Sequence, residues 1–269
     1  MDTLAPAQDT LVTLAIADGI ATLTLNRPKQ YNALSAATLD ALHAAIDQVR
    51  DDQSVRVLLI AANGNAFCAG HDLKEMRAAN DEAFVRRLFQ RCSDMMLKLA
   101  KLPVPVIAEI QGMATAAGCQ LVAQCDLAVA VDHAKFAVSG VNLGLFCSTP
   151  AVPLSRTISR KRAAEMLMTG EFIDANTALA WGLVNRVVPA AELRATTLAL
   201  AETLKAKPRD ALAMGKALLY RQMEAGIEAA YQDASATISC NFMQADAQEG
   251  VAAFLEKRAP NWPQSKNKP

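Results

Sequence analysis

The strongest constraint on this chain is an alternation. From residue 11 to residue 188, short apolar runs take turns with stretches of helical periodicity; after residue 190 the strands stop and the helical patterning continues. Residues 11–25 open the series as a hairpin. Leu11-Val12-Thr13-Leu14-Ala15-Ile16 and Ala21-Thr22-Leu23-Thr24-Leu25 flank Asp18-Gly19, a pair suited to a two-residue turn. Ser35 is a natural N-cap for a helix reaching about Arg50, with Leu39, Leu42, Ile46 and Val49 at helical spacing. Apolar runs at 55–61, 106–110 and 127–131 have the continuous character of strands covered on both faces. A helix over about 81–102 is stopped by Pro103 and Pro105. Residues 116–124 read as a small-faced helix, 150–169 as one helical stretch and 184–188 as the last strand. This succession predicts an α/β domain with parallel pairing and crossover helices, and by itself suggests a doubly wound sheet. The strandless tail must pack on the domain, on its own second layer or on another subunit. The one division the pattern offers lies between 190 and 206, giving a core over 1–195 and a helical region over 196–269.

Composition removes several functions. The chain has 269 residues, 27 Lys+Arg against 27 Asp+Glu, and 52% hydrophobic residues, enough for a full core. Zero formal net charge argues against a general nucleic-acid or anionic-membrane binder, which needs a basic excess. No run approaches the ~20 apolar residues of a membrane helix; even the stretch around 121–131 is broken by Gln124 and Asp126. Residues 1–10 carry Asp2 and Asp9 and no Lys or Arg, unlike a secretory signal or an Arg-rich transit peptide. The six cysteines form no CxxC pair, and no His sits at metal spacing to another. The expectation is free thiols in a cytoplasmic protein and no metal site.

Common phosphate and hydrolase signatures are missing: there is no GxGxxG after the first strand, and no GxxxxGK[ST], HExxH or GxSxG. Two other segments stand out. Ala66-Phe67-Cys68-Ala69-Gly70-His71-Asp72-Leu73-Lys74 follows a buried strand and precedes a helix. It is either an ordinary β-to-α loop with a solvated His71, or a place where small residues let backbone N–H groups approach an anion. Ile110-Gln111-Gly112-Met113-Ala114-Thr115-Ala116-Ala117-Gly118-Cys119-Gln120-Leu121 puts small residues where a strand feeds a helix. That pattern serves close packing and an exposed helix N-terminus equally well. Two such N–H donors from separate loops can hold one developing oxyanion.

Ordered motifs give these segments a context. Leu25-Asn26-Arg27-Pro28-Lys29, Asn32-Ala33-Leu34, Phe67 to Met76, Pro103-Val104-Pro105-Val106-Ile107-Ala108, Gly112, Gly118-Cys119, Leu121, Cys125-Asp126, Glu249-Gly250 and Phe254-Leu255-Glu256-Lys257-Arg258 resemble the enoyl-CoA hydratase/isomerase (crotonase) superfamily over residues 11–262. The resemblance implies an α/β fold: a crotonase-like spiral of ββα turns with a C-terminal helical trimerisation region, assembled as a trimer or a dimer of trimers. It implies an acyl-CoA thioester as substrate or ligand, no permanently bound cofactor, and an oxyanion hole from the backbone N–H groups of His71 and Ala117. The CoA-binding positions it implies are Lys29, Ala69, His71, Asp72, Lys74 and Lys257, with the lysines on the phosphates and Lys257 reaching from a neighbouring subunit. For each lysine a solvated charge is the plain alternative.

The catalytic positions depart from the family. Hydratases of this family place a water between two glutamates; the corresponding residues here are Gln120 and Gly140. A general acid or base is worth typically ~10²–10⁴-fold. Glutamine can hydrogen-bond a water but not take its proton, and glycine can do neither. Standard hydration is therefore disfavoured. His71, Asp72, Ser139, Asn142, Cys147 and Ser148 are the side chains left near the thioester, and Met76, Phe89 and Met95 are candidates for setting acyl-chain depth. Decarboxylating relatives resemble the chain at Gly70-His71-Asp72 and Val141-Asn142-Leu143-Gly144, although the tyrosine they carry shortly afterwards corresponds to Cys147. Malonyl-type decarboxylation and a non-catalytic acyl-CoA-binding oligomer are the alternatives.

Overall fold

Asp18 and Gly19 both take positive φ, 48° and 75°, the geometry that lets two residues reverse a twisted hairpin. They join β1 (Val12–Ala17) to β2 (Ile20–Leu25) in antiparallel register, Ala17 opposite Ile20. The computed structural model describes residues 10–262, so stretch 1–9, read above for targeting, lies outside the described residues. Ser35 caps α1 (Ala36–Asp51) by accepting from Thr38 N–H, and Leu39, Leu42, Ile46 and Val49 are buried as their spacing predicts.

Three turns of the chain then repeat one plan: a strand in a large sheet, a short strand in a second sheet, then helix. The first turn is β3 (Val57–Ala62), β4 (Ala66–Cys68), α2 (Leu73–Ala79) and α3 (Glu82–Lys101). The second is β5 (Val106–Ile110), β6 (Met113–Thr115) and α4 (Ala117–Gln124). The third is β7 (Leu127–Val131), β8 (Lys135–Ala137), a 3-10 turn over Ser139–Leu143, α5 (Ser148–Thr157) and α6 (Arg160–Thr169). A closing segment adds β9 (Ile173–Asp174), α7 (Ala175–Trp181), β10 (Arg186–Val188) and α8 (Leu193–Lys205). The large sheet has the order β1-β2-β3-β5-β7-β10, parallel from β2 onward; the small one has the order β4-β6-β8-β9.

This is a two-sheet spiral, and it corrects the doubly wound expectation. The strands that make the difference are three residues or fewer, too short to show periodicity in sequence. The helical stretch expected over 150–169 is two helices: Ile158 and Ser159 are extended, with Ile158 buried as the hinge point. Helix α7 carries no strong sequence signal; it is capped by Asp174 accepting from Thr177 N–H.

Helix α8 packs on β3, β5 and β7 and buries Thr197 and Ala201, so residue 195 falls inside a core helix and the tail departs after Lys205. The tail comprises α9 (Arg209–Gln222), α10 (Ile227–Phe242) and α11 (Ala245–Leu255). A buried cation docks it. Lys216 Nζ of α9 donates to Asp126 at 2.6 Å and to the carbonyls of Leu99 and Val104 at 2.9 and 3.0 Å. Asp126 also accepts from Tyr220 OH and Val106 N–H. With its donors filled, the ammonium tolerates burial that would otherwise be costly.

Candidate active site

A cavity of about 630 Å³ opens where the small sheet meets α3 and the 3-10 turn. Ala69, His71, Ala116, Ala117, Ser139 and Gly140 are on its wall, with Leu73, Met76, Val85 and Phe89 on the α2–α3 side and Leu143, Leu145, Phe146 and Pro150 opposite. Lys, Arg, Asp and Glu do not occur among its lining residues.

The two loops singled out in the sequence meet here. Leu34 forms a parallel bridge to His71, its N–H donating to Gly70 O and its carbonyl accepting from Asp72 N–H. A strand residue bridged in this way turns its own N–H to the opposite side. His71 N–H accordingly has no partner among the described residues. Ala117 is the first residue of α4, and first-turn N–H groups lack a helical acceptor. It is aimed by Ala116, whose φ of 51° and ψ of −120° lie in a region that favours glycine and costs an ordinary residue about 1–3 kcal/mol. The loops touch: a Cβ on Gly70, itself at φ 91°, would stand 2.8 Å from Ala116 Cβ and 3.1 Å from Ala117 N. Gly118 lies so close to the Cys68 carbonyl that no side chain fits between α4 and β4. The loops that carry His71 N–H and Ala117 N–H thus meet at the cavity wall, beside the positive end of α4.

A polar frame holds the first loop. Arg27 donates to Ala33 O at 2.6 Å and pairs with Asp72 at 3.1 Å. Asn32, fully buried at φ 54°, accepts from Arg27 N–H and donates to the carbonyls of Asn63 and Ala66. Asp72 caps α2 through Lys74 and Glu75 N–H. Burial raises its carboxyl pKa, but Arg27 and the two backbone donors outweigh that and hold it below the usual carboxylate range. Asp72 is therefore engaged away from the cavity. The frame was not legible in the sequence, because Arg27 and Asp72 are 45 residues apart.

The remaining candidates divide. His71 lines the cavity, its ring edge-on to Phe89 at 4.7 Å and 77°. Burial pushes its pKa down to about 4; the Leu34 carbonyl opposes the shift but lies outside hydrogen-bond geometry for the ring. The imidazole is neutral at physiological pH. Gln120 is buried on α4, behind the wall, and its Oε1 finds no partner. Gly140 is on the wall, and a Cβ there would meet Leu145 O at 2.5 Å and Cys147 Sγ at 2.8 Å. Asn142 is turned away and donates to Gly170 O at 3.2 Å. Cys147 accepts from Gly140 N–H at 3.3 Å; burial raises its thiol pKa, so it is not an activated nucleophile. Met76 and Phe89 line the cavity, whereas Met95 is deep in the core.

Lys29 and Lys74 are exposed, each two residues from a partner of the Arg27–Asp72 pair, and neither is among the residues that line the cavity. Lys257 is exposed after α11 at φ 56° and is not part of this cavity. Among the described residues no His/Cys/Asp/Glu group is placed to hold a metal ion, and no helix is long and apolar enough to cross a membrane.

The enoyl-CoA hydratase/isomerase family model matches residues 15–266. The chain belongs to that family. A solved enoyl-CoA hydratase from Mycobacterium smegmatis is 57% identical, with a TM-score of 0.92 over 94% of this chain and 98% of that one. The crystal structure of human enoyl Coenzyme A hydratase domain-containing protein 3 is 44% identical, with a TM-score of 0.91 over 94% of this chain and 100% of that one. The mouse protein of that name, described as mitochondrial, is 45% identical over 91% of this chain and 82% of its own length. Residues 114–125 span the end of β6 and the whole of α4, and residues 140–150 form the loop and the start of α5 across the cavity from it. The relatives also correct one expectation. The mouse, rat, human, frog and zebrafish proteins of this name are all described as mitochondrial, which points away from the cytoplasm. Unpaired thiols say only that a chain needs no disulfide, and do not identify its compartment.

Proposed function

We propose that this crotonase-family protein binds an acyl-CoA thioester with its carbonyl oxygen between His71 N–H and Ala117 N–H, and stabilises the thioester enolate. One observation supports the reading: the loops carrying these two donors, neither of which has a partner among the described residues, meet at the wall of a cavity whose lining holds no carboxylate. When a bond at the carbon next to the thioester breaks heterolytically, its electron pair moves onto the carbonyl oxygen. Two fixed donors at that oxygen lower the barrier, and removing one such donor costs typically ~10²–10³-fold. Hydration needs an acid and a base as well, and Gln120 and Gly140 supply neither.

The CoA end belongs at the rim, where Lys29 and Lys74 offer exposed cations to phosphates; Lys257 is the cation a neighbouring subunit would contribute. An oligomer, trimer or dimer of trimers, is part of the proposal. Ile227, Tyr231, Ile238 and Phe242 form one exposed apolar stripe along α10, and Phe254 and Leu255 stand out from α11.

The test combines titration calorimetry of butyryl-CoA with crotonyl-CoA hydration followed by enoyl absorbance. The expected result is binding with hydration about 10⁴-fold or more below a relative that keeps both glutamates. Hydration at that relative's rate, or no binding of any CoA ester, overturns the reading.

A further inference from the structure

The mechanism above uses the backbone of His71 and leaves its side chain unexplained. Both ring nitrogens, Nδ1 and Nε2, are shut off from solvent, and neither has a hydrogen-bond partner. Buried polar atoms are seldom left in this state unless something else completes them. The ring rests against Phe89 on the wall of the thioester cavity.

Other uses of the ring fail on chemistry. It does not serve as a cation, because burial keeps it neutral well below neutral pH. It is not a metal ligand, since no grouping of His, Cys, Asp or Glu among the described residues could share an ion. It does not activate Cys147, whose sulfur takes up the Gly140 N–H and makes no bond to the ring.

The lining narrows what completes it. A plain hydrocarbon acyl chain leaves both nitrogens unpaired. A carboxylate-bearing chain would bury a charge in a cavity lined by no Lys or Arg, and unpaired buried charges are strongly disfavoured. A neutral oxygen does neither harm. A hydroxyl accepts from the ring N–H or donates to the bare nitrogen, and a carbonyl accepts. Contact requires the ring to turn so that one nitrogen faces the cavity it lines, and that movement is part of the inference.

We propose that the His71 imidazole selects acyl groups bearing a neutral hydroxyl or carbonyl substituent, over both hydrocarbon and carboxylate-bearing chains. The proposal rests on the thioester reading: one residue holds the thioester oxygen by its backbone and reads the acyl group by its side chain.

The test is calorimetric titration of the full-length protein with butyryl-, 3-hydroxybutyryl-, 4-hydroxybutyryl- and succinyl-CoA, in wild type and in His71→Phe. That variant keeps the backbone N–H and the aromatic volume. At least one hydroxybutyryl ester is expected to bind about tenfold more tightly than butyryl-CoA in wild type, the effect of one hydrogen bond to a group otherwise left unpaired. In His71→Phe the ratio falls to near one. Nitrogen NMR of wild-type protein labelled at histidine gives a second readout that needs no variant. One imidazole nitrogen resonance shifts with the preferred hydroxy ester and stays in place with butyryl-CoA. Butyryl-CoA binding with no preference for an oxygenated chain overturns the proposal and leaves the thioester reading standing. So does tightest binding by succinyl-CoA, or a preference that survives His71→Phe. Failure of every ester to bind overturns both.

Discussion

Putting both glutamates back, as Gln120→Glu and Gly140→Glu, is the sharpest trial of the claim that this site has left hydration behind. A side chain at 140 starts with a Cβ 2.5 Å from Leu145 O, where ordinary contact begins at 3.4 Å. The loop must therefore move by nearly an ångström. It is closed by Leu145 N–H to Gly140 O at 2.9 Å and by Gly140 N–H to Cys147 Sγ at 3.3 Å, and both bonds are strained by that movement. Overpacking of this kind costs about 1–3 kcal/mol. In a chain of this size that lowers the melting temperature by roughly 2–12 °C. Gln120 is 3% exposed with its Oε1 unpartnered, so a carboxyl there is desolvated, its pKa rises and less of it is ionised at neutral pH. The double variant is expected to melt lower and to gain less than about tenfold in crotonyl-CoA hydration, against the ~10²–10⁴-fold that one working acid or base supplies. Thermal melting and enoyl absorbance on the same preparation measure both. A variant that melts within about 2 °C of wild type and hydrates crotonyl-CoA ~10²-fold faster would refute the steric argument.

Three further outcomes follow from other parts of the molecule. Lys216→Met takes from Asp126 its cationic partner and removes three hydrogen bonds that dock α9; urea unfolding should show a loss of about 3–5 kcal/mol, and pairing it with Asp126→Asn should recover part of that. His71 is neutral in the folded protein down to about pH 4 but takes a proton near 6.5 once unfolded. The unfolded state thus binds the extra proton between those values, and acidification from pH 6.5 to 4 should cost about 3 kcal/mol that His71→Phe does not lose. Cys147 carries a buried thiol with a raised pKa. Iodoacetamide at near-neutral pH should leave it unmodified in the folded protein by peptide mass spectrometry, and rapid labelling would contradict its burial.

Much of this was present in the order of residues. Asp18-Gly19 dictates the hairpin turn because both residues tolerate positive φ. Ser35 and the apolar spacing behind it specify α1, and the uninterrupted apolar runs specify β3, β5 and β7. These are local preferences or burial patterns over five or more residues, which sequence expresses directly. That Gln120 and Gly140 can act as neither acid nor base is likewise a matter of residue identity alone. Tertiary structure decided the rest. The strands of the small sheet are two or three residues long and exist only because neighbours pair with them. Ala116 takes a glycine-like conformation because the ladder to Ala137 and the close packing of Gly70 hold it there. Tertiary contacts also bring the His71 and Ala117 loops together, engage Asn142 with Gly170 and Asp72 with Arg27, and seal the His71 ring without a partner. Such contacts join residues tens of positions apart, so no local propensity encodes them; they emerge only when the folded chain closes on itself.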